Sequence, residues 1–148
     1  MAQEQKREIV SRRIFKATPE RIWEMFSNPD HLAKRRWPKG FTNVFHEFDF
    51  RPGGARLFTM HGPDGIDYPN KKVFVELDYA KKIVFDHEHP EFHMIIELFP
   101  VEGGTEMIWH MSFPSQALYD NIRKVAEPSN EENFDRLSTY LNQLWNEK

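Results

Sequence analysis

The fold is decided by residues 82–113, which read KIVFDHEHPEFHMIIELFPVEGGTEMIWHMSF. Apolar and polar side chains alternate through much of this stretch, as they do in β-strands that bury one face. The turn signals His89-Pro90 and Glu102-Gly103-Gly104 divide it into three strands. Because connections this short join antiparallel neighbours, the stretch predicts an antiparallel meander.

The register of the meander follows from its turns. A two-residue turn at residues 89–90 places Phe85 opposite Met94. The next hairpin places Ile96 near Trp109. Pairing and alternation then assign the same side chains to one buried face. This face comprises Ile83, Phe85, Phe92, Met94, Ile96, Leu98, Met107, Trp109 and Met111.

Further strands are expected upstream of the meander, separated by turns rich in Gly and Pro. They are Glu8–Ala17, Val44–Phe50, Ala55–His61 and Lys71–Leu77. The inward face of the strand at residues 71–77 stays open, because Val73, Val75 and Leu77 compete with Phe74 for it.

Two short helices are expected after the first strand. Thr18-Pro19-Glu20 is a helix entry, with a capping hydroxyl followed by proline at the first helical position. The spacing of Ile22, Trp23 and Phe26 predicts a short amphipathic helix there. A second short helix is expected at Asp30–Arg35.

The chain after Phe113 is expected to be helical. Ser115–Ala126 predicts a modest helix that Pro128 ends. Ser129, with Glu132 three residues later, is a capping box that opens a last, longer helix. Its apolar stripe comprises Phe134, Leu137, Leu141 and Leu144. A sheet with one apolar face and a helix to cover it makes a two-layer α+β domain, expected to span residues 1–148 with its core at about 7–146.

Composition excludes several classes of protein. The 148 residues include 20 basic and 23 acidic side chains and no cysteine, so disulfides and thiolate sites are excluded. The net charge of −3 disfavours nucleic acid as a partner, and no apolar run is long enough to span a membrane. These features favour a cytoplasmic protein. The rings of the 13 Phe, 4 Trp and 4 Tyr must either pack tightly against one another or leave a cavity that a ligand can fill.

Several motifs, in their order and spacing, resemble those of one protein family. They are Arg13-Ile14-Phe15-Lys16-Ala17-Thr18-Pro19-Glu20-Arg21-Ile22-Trp23, Asn28-Pro29-Asp30-His31-Leu32, Asp49-Phe50-Arg51-Pro52-Gly53-Gly54, Met60-His61-Gly62-Pro63-Asp64-Gly65, Gly104-Thr105 and Phe113-Pro114-Ser115. The sequence looks like the activator-of-heat-shock-protein-ninety-ATPase homologue domain, C-terminal type, from about Arg7 to about Leu144. One departure is visible, since Trp37 stands alone where members of the family usually carry a tryptophan pair.

The resemblance implies a helix-grip fold of the START-like (SRPBCC) superfamily. In that fold a curved antiparallel sheet of about seven strands wraps around a long C-terminal helix, with two short helices after the first strand. It implies a cavity between sheet and helix that many members use for apolar ligands. The family shares no catalytic constellation, so the resemblance implies a fold more directly than a function.

The leading hypothesis is therefore the binding of a small hydrophobic or amphipathic molecule in that cavity. Arg56 shares a strand face with Phe58, and the register points His87 inward, so these two polar groups would orient a polar head of the ligand. The candidate lining residues are Arg56, Phe58, Met60, Phe85, His87, Met94, Ile96, Met107, Trp109, Met111, Phe134, Leu137 and Leu141.

Each polar candidate can also be explained without a ligand. Arg56 near the Gly53-Gly54 turn can extend to water, and His87 can be a partly exposed residue at a strand end. The run 86–89 with His93 holds ligand-type groups, but its spacing matches no closed metal site, so we expect no metal. No cofactor motif is present, and none is expected.

Two other functions stay open. The basic segment 34–39 around Trp37 would suit a co-chaperone-like domain that docks on a larger ATPase, with a chaperone or another protein as partner. A cyclase or dehydratase is the second alternative, although only His87 and His110 are candidate interior acids or bases, so we lean against an enzyme. The oligomeric state is expected to be a monomer or a homodimer.

Overall fold

The computed structural model describes residues 7–27, 42–88 and 91–146. Side chains are described except at 42–48, 60, 68–70 and 144–146. In chain order the elements are β1 (Glu8–Phe15), α1 (Pro19–Ser27), β2 (Thr42–Phe48), β3 (Ala55–His61), β4 (Asp67–Asp78), β5 (Lys82–Glu88), β6 (Phe92–Val101), β7 (Gly104–Ser112) and α2 (Gln116–Asn146). The second short helix expected at 30–35 falls outside the described residues.

The strands form one curved antiparallel sheet in the order β1-β7-β6-β5-β4-β3-β2. The meander register is confirmed, because Phe85 pairs with Met94 and Ile96 with Trp109. The face assigned to the interior is also confirmed: Phe92 is half-buried, and the other eight side chains of that set are buried. Alternation and turn length were sufficient to fix this part of the sheet.

A β-bulge in β4 resolves the strand whose inward face was left open. The pairing with β5 shifts register between Phe74 and Glu76, so the side-chain parity changes at Val75. Before the bulge Phe74 is buried, and after it Leu77 packs against the core, while Val75 is exposed. Phe74 and Leu77 therefore both face inward although they differ in parity, because the bulge lies between them, whereas Val75 does not face the core.

The turn at residues 51–54 closes on the bulged strand. The Gly53 amide donates to the Phe74 carbonyl at 2.7 Å, and the Phe74 amide donates to the Gly54 carbonyl at 2.9 Å. A Cβ on Gly54 would collide with the backbone oxygen of Asp49, so only glycine fits this turn. The turn motif thus holds β3 and β4 together next to the bulge.

The C-terminal region corrects the prediction of two helices. Residues 116–146 form one α-helix with Pro128 inside it. Proline removes one helical hydrogen bond, but the buried stripe continues across it, and burial outweighs this local loss. The stripe comprises Tyr119, Ala126, Asn130, Phe134, Leu137 and Leu141. Ser129 is therefore not a cap, and Glu132 pairs with Arg136 one turn later at 3.1 Å.

The strand ends differ slightly from the expected ones. β4 begins at Asp67 rather than Lys71, and its added residues include Pro69. Residues 67–70 pair with β3, and within the described residues the pairing of β4 with β5 starts at Lys71. No helix of the described residues is long and apolar enough to cross a membrane.

Candidate ligand-binding site

One row of side chains crosses the concave face of the sheet and brings the polar candidates together. Arg56 on β3 pairs with Lys72 on β4, Lys72 pairs with His87 on β5, and His87 pairs with Phe92 on β6. Arg56 and Lys72 are each 5% exposed, His87 is 7% exposed, and Phe92 is half-buried. We call Arg56, Lys72 and His87 the cationic row, after the basic character of the three side chains.

Each member of the cationic row lies on an aromatic ring. The Arg56 guanidinium is 4.7 Å from the centroid of Phe58, which lies two residues away on the same strand face. The Lys72 ammonium is 4.4 Å from the centroid of Phe85. The His87 imidazole stacks on Phe92 at 4.5 Å with a 16° angle between the rings. Contacts of a cation with a ring face offset part of the cost of burial.

The aromatic residues beside this row form a continuous chain. Edge-on or tilted contacts, with centroid distances of 5.0 to 6.5 Å, link α1 through the sheet to the start of α2. In order, the members are Trp23, Phe50, Phe74, Phe85, Phe92, Phe113 and Tyr119. These aromatic rings therefore pack against one another, and the chain of contacts runs beside the cationic row.

A cleft opens where the cationic row reaches β6. Its volume is about 740 Å³, within the range of about 300–1,000 Å³ that small-molecule sites occupy. His87, Phe92 and Phe113 line it from the concave face. The other lining residues are Asp86, Glu88, Glu91, His93, Ser112 and Pro114. The row therefore runs inward from an open cleft.

The opposite half of the concave face is filled. Phe134 of α2 packs edge-on against Trp109 at 4.7 Å and against Phe15 at 5.9 Å. α2 lies against β1 in this region, and Asn130 donates a hydrogen bond to the Ser11 hydroxyl at 3.3 Å. Above them, Arg13 binds Asp135 at 2.5 Å and Glu131 at 2.8 Å. Burial lowers the pKa of Arg13, but the hydrogen bonds to the two carboxylates raise it by more. The pKa of Arg13 therefore lies above its ordinary value.

The predicted lining residues divide between these two regions. Arg56, Phe58, Phe85 and His87 lie in or beside the cationic row, which the buried Met94 and Met111 adjoin on the next row. Six others lie in the filled half or at its margin. They are Ile96, Met107, Trp109, Phe134, Leu137 and Leu141, with Leu141 also lining a recess of about 500 Å³ beside Ile14 and Ser138. The Met60 side chain lies outside the described residues. Their role in ligand binding stays a prediction.

Lys72 is the residue that sequence reasoning missed. Its side chain faces inward because it lies two residues before Phe74 on the same side of the bulge. Choosing Phe74 as the inward residue of this strand would have placed Lys72 inward too. Lysine is among the residues least often fully buried, so composition gave no reason to prefer that choice.

His87 and His93 of the polar segment 86–93 lie on opposite faces of the sheet. Asp86 and His93 hydrogen-bond at 2.7 Å as an exposed pair, whereas the neighbouring His87 is buried on the other face. His89 lies outside the described residues. Within the described residues, no group of three or more His, Asp or Glu side chains could hold a metal ion.

His110, one of the two candidates for an interior acid or base, does not face the interior. It alternates with the buried Trp109 and Met111, so its imidazole lies on the outer face of the sheet. There its Nε2 is 2.9 Å from Glu97, and its Nδ1 is 3.9 Å from Glu8. Of the two histidines considered for catalysis, only His87 faces the interior.

An antiparallel sheet with a long C-terminal helix across its concave face is the helix-grip architecture of START-like proteins. Residues 16–142 match the family described as "Activator of Hsp90 ATPase homolog 1-like protein". The chain belongs to this family. No functionally curated protein matches the sequence.

Solved structures share this fold at low sequence identity. A protein from Rhodobacter sphaeroides superposes with a TM-score of 0.87 at 23% identity, covering 97% of both chains. A protein from Nitrosomonas europaea superposes with a TM-score of 0.86 at 20% identity, and the match covers 97% of this chain and 99% of the other. An AHSA1-like protein from Aeromonas hydrophila gives 0.79 at 14% identity and covers 93% of each. These similarities show the fold alone.

Proposed function

We propose that this protein binds a small hydrophobic or amphipathic molecule between the sheet and α2. The observation that carries the proposal is the cationic row, three buried polar side chains set among aromatic rings and leading from a cleft of about 740 Å³. Small-molecule sites usually combine aromatic side chains with a few convergent polar groups. The rings and the cationic row supply both here, whereas most residues that line the cleft itself are polar. The absence of cysteine fits a reducing compartment, and we place this binding in the cytoplasm.

Native mass spectrometry of freshly purified protein is the first test. We expect an adduct of small-molecule mass that disappears on denaturation. A second measurement follows the Tm of the protein with decan-1-ol and 2-naphthol, which supply a flexible and a planar apolar body. Binding to the folded state alone raises Tm. An adduct-free protein whose Tm neither compound raises would overturn the proposal.

A pair of substitutions then locates the binding. Met94→Trp adds a ring on the concave face next to the cationic row, whereas Ile95→Trp adds the same ring one residue away on the outer face. We expect Met94→Trp to abolish the ligand-induced rise in Tm and Ile95→Trp to retain it. Equal ligand responses in the two variants would place the binding elsewhere.

The family description favours a second candidate, a domain that acts on a larger ATPase. The segment expected to dock, 34–39, lies outside the described residues. Affinity capture from native extract with the wild-type chain, and with Trp37→Ala as the control, tests it. Stoichiometric recovery of a chaperone by the wild type alone would support this candidate over ligand binding.

A further inference from the structure

The two edges of the sheet differ in regularity. Within the described residues, β1 is one edge strand and β2 is the other. The pairing of β2 with β3 shifts register between Phe45 and Glu47, and a bulge of this kind hinders the addition of a further strand. The pairing of β1 with β7 continues without a shift from Glu8 to Phe15, and β1 contains neither proline nor glycine. β1 therefore presents a regular edge, which another strand can extend.

The alternation of hydrogen bonds along β1 determines which main-chain groups face this edge. The Phe113 amide donates to the Arg7 carbonyl at 3.0 Å, so these two residues form a hydrogen-bonded pair of the ladder. In an antiparallel ladder such pairs alternate with pairs that exchange no hydrogen bond. The residues of β1 whose amide and carbonyl groups point away from β7 are therefore Glu8, Val10, Arg12 and Ile14. No hydrogen bond joins these groups to another described residue.

α2 packs on the concave side of β1 and not on its outer side. Asn130 binds the inward Ser11, and Phe134 packs on the inward Phe15. The outward side chains of β1 are exposed, and two of them are apolar: Val10 is 44% and Ile14 is 60% exposed. Exposed β-branched residues on a regular edge strand favour pairing with another strand.

The charges on the outer side of β1 are symmetric about Val10. Glu8 lies two residues before Val10 and Arg12 two residues after it, so the three side chains share one side of the strand. When two copies of β1 pair antiparallel with their Val10 residues opposite each other, Glu8 of each copy lies opposite Arg12 of the other. Centring the pairing on Ser11 instead places Val10 opposite Arg12, and centring it on Arg12 brings two arginines together. Charge complementarity therefore favours the register centred on Val10.

The remaining charged groups near this edge are compatible with that register. The carboxylate of Glu8 lies 3.9 Å from His110, beyond hydrogen-bond distance, so it can accept a hydrogen bond from Arg12 of a second copy. On the concave side, Arg7 of one copy meets Arg13 of the other at the ends of the register. The two α2 carboxylates that bind Arg13 offset this repulsion.

We propose that β1 is a dimer interface, at which a second copy of this chain extends the sheet antiparallel with Val10 on the twofold axis. The pairs at residues 8, 10 and 12 each exchange two main-chain hydrogen bonds across the axis. Two sheets of seven strands become one continuous sheet, with both concave faces on the same side. The interface is isologous and the bulged β2 edge hinders further addition, so the assembly stops at two copies. This interface is independent of the ligand proposed above.

Analytical ultracentrifugation of the wild-type chain over a range of concentrations is the first test. We expect the mass of two chains at high concentration and the mass of one chain on dilution. Glu8→Arg and Arg12→Glu each place like charges opposite each other on both sides of the axis, so each should weaken the dimer about tenfold or more. The double variant Glu8→Arg/Arg12→Glu exchanges the two charges and should restore the Kd of the wild-type dimer.

A cysteine on the axis tests the register. The chain contains no cysteine, so Val10→Cys supplies one thiol per chain. Directly opposite residues in a hydrogen-bonded pair have Cα atoms about 5.5 Å apart, within the range that a disulfide spans. We expect mild oxidation to convert Val10→Cys into a covalent dimer. Val75→Cys is the matched control and should stay unlinked, because Val75 is 48% exposed but lies on β4, away from this edge.

Three results would overturn the proposal. They are a wild-type chain that stays monomeric at every concentration, a dimer that neither charge reversal weakens, and oxidation that links Val10→Cys no faster than Val75→Cys. Far-UV circular dichroism checks that each variant is folded. Because the mass of the wild type and the cross-link need no charge reversal, a misfolded Glu8→Arg or Arg12→Glu does not remove the test.

Discussion

The two halves of the concave face treat charge in opposite ways. Where α2 crosses β1 and β7, which we call the closed half, apolar rings fill the space and the charged Arg13 lies at the rim with two carboxylates. Across β3 to β5, which we call the charged half, Arg56 and Lys72 are buried among rings. The same sheet therefore keeps an arginine at its rim beside two carboxylates in one half, and buries an arginine and a lysine against aromatic rings in the other.

The largest effect is expected in the closed half. Phe134→Ala removes a fully buried ring between Phe15 and Trp109, and we expect the free energy of unfolding to fall by about 3–5 kcal/mol. Urea denaturation followed by far-UV circular dichroism measures it. Val125→Ala, exposed on the same helix, is the control and should stay within about 0.5 kcal/mol. A loss below about 1 kcal/mol in Phe134→Ala would be much smaller than a buried ring contributes. It would show that apolar packing does not fill the closed half.

Pro128 lies where α2 passes from the Tyr119 end near the cleft to the closed half. Pro128→Ala restores a helical hydrogen bond, and we expect the free energy of unfolding to rise by up to about 3 kcal/mol. Glu127→Ala, at the preceding exposed position, is the matched control. Thermal unfolding measures both. If Pro128→Ala were less stable than the wild type, the proline would be needed for α2 to pack along both halves of the concave face.

The smallest effect is expected at the rim of the closed half. Arg13→Met removes two partly exposed ion pairs and a contact at 5.3 Å with the Phe134 ring, which together contribute about 1 kcal/mol. Salt should reduce the difference from wild type, because such pairs are screened. The exposed Lys124→Met is the control. An effect independent of salt would assign the contribution of Arg13 to the ring contact alone.

Much of the sheet could be predicted because local rules decide it. Alternation and a two-residue turn gave the pairing of Phe85 with Met94, and the tertiary structure agrees. The bulge near Val75 could not be predicted, because one extra residue in a strand leaves no compositional signal. Lys72 was missed for the same reason. Pro128 misled the helix prediction, because a local stop signal was weighed without the burial that overrides it.

The sequence by itself determined the order of the strands, the inward face of the meander and the family, since periodicity, turn chemistry and motif spacing are local properties. It also supplied Arg56 and His87 as inward polar groups. Only the tertiary structure decided that Lys72 lies between them, because the partner of a strand residue depends on register across three strands and on one bulge. Three side chains far apart in the chain thus become one row of buried basic groups on the concave face.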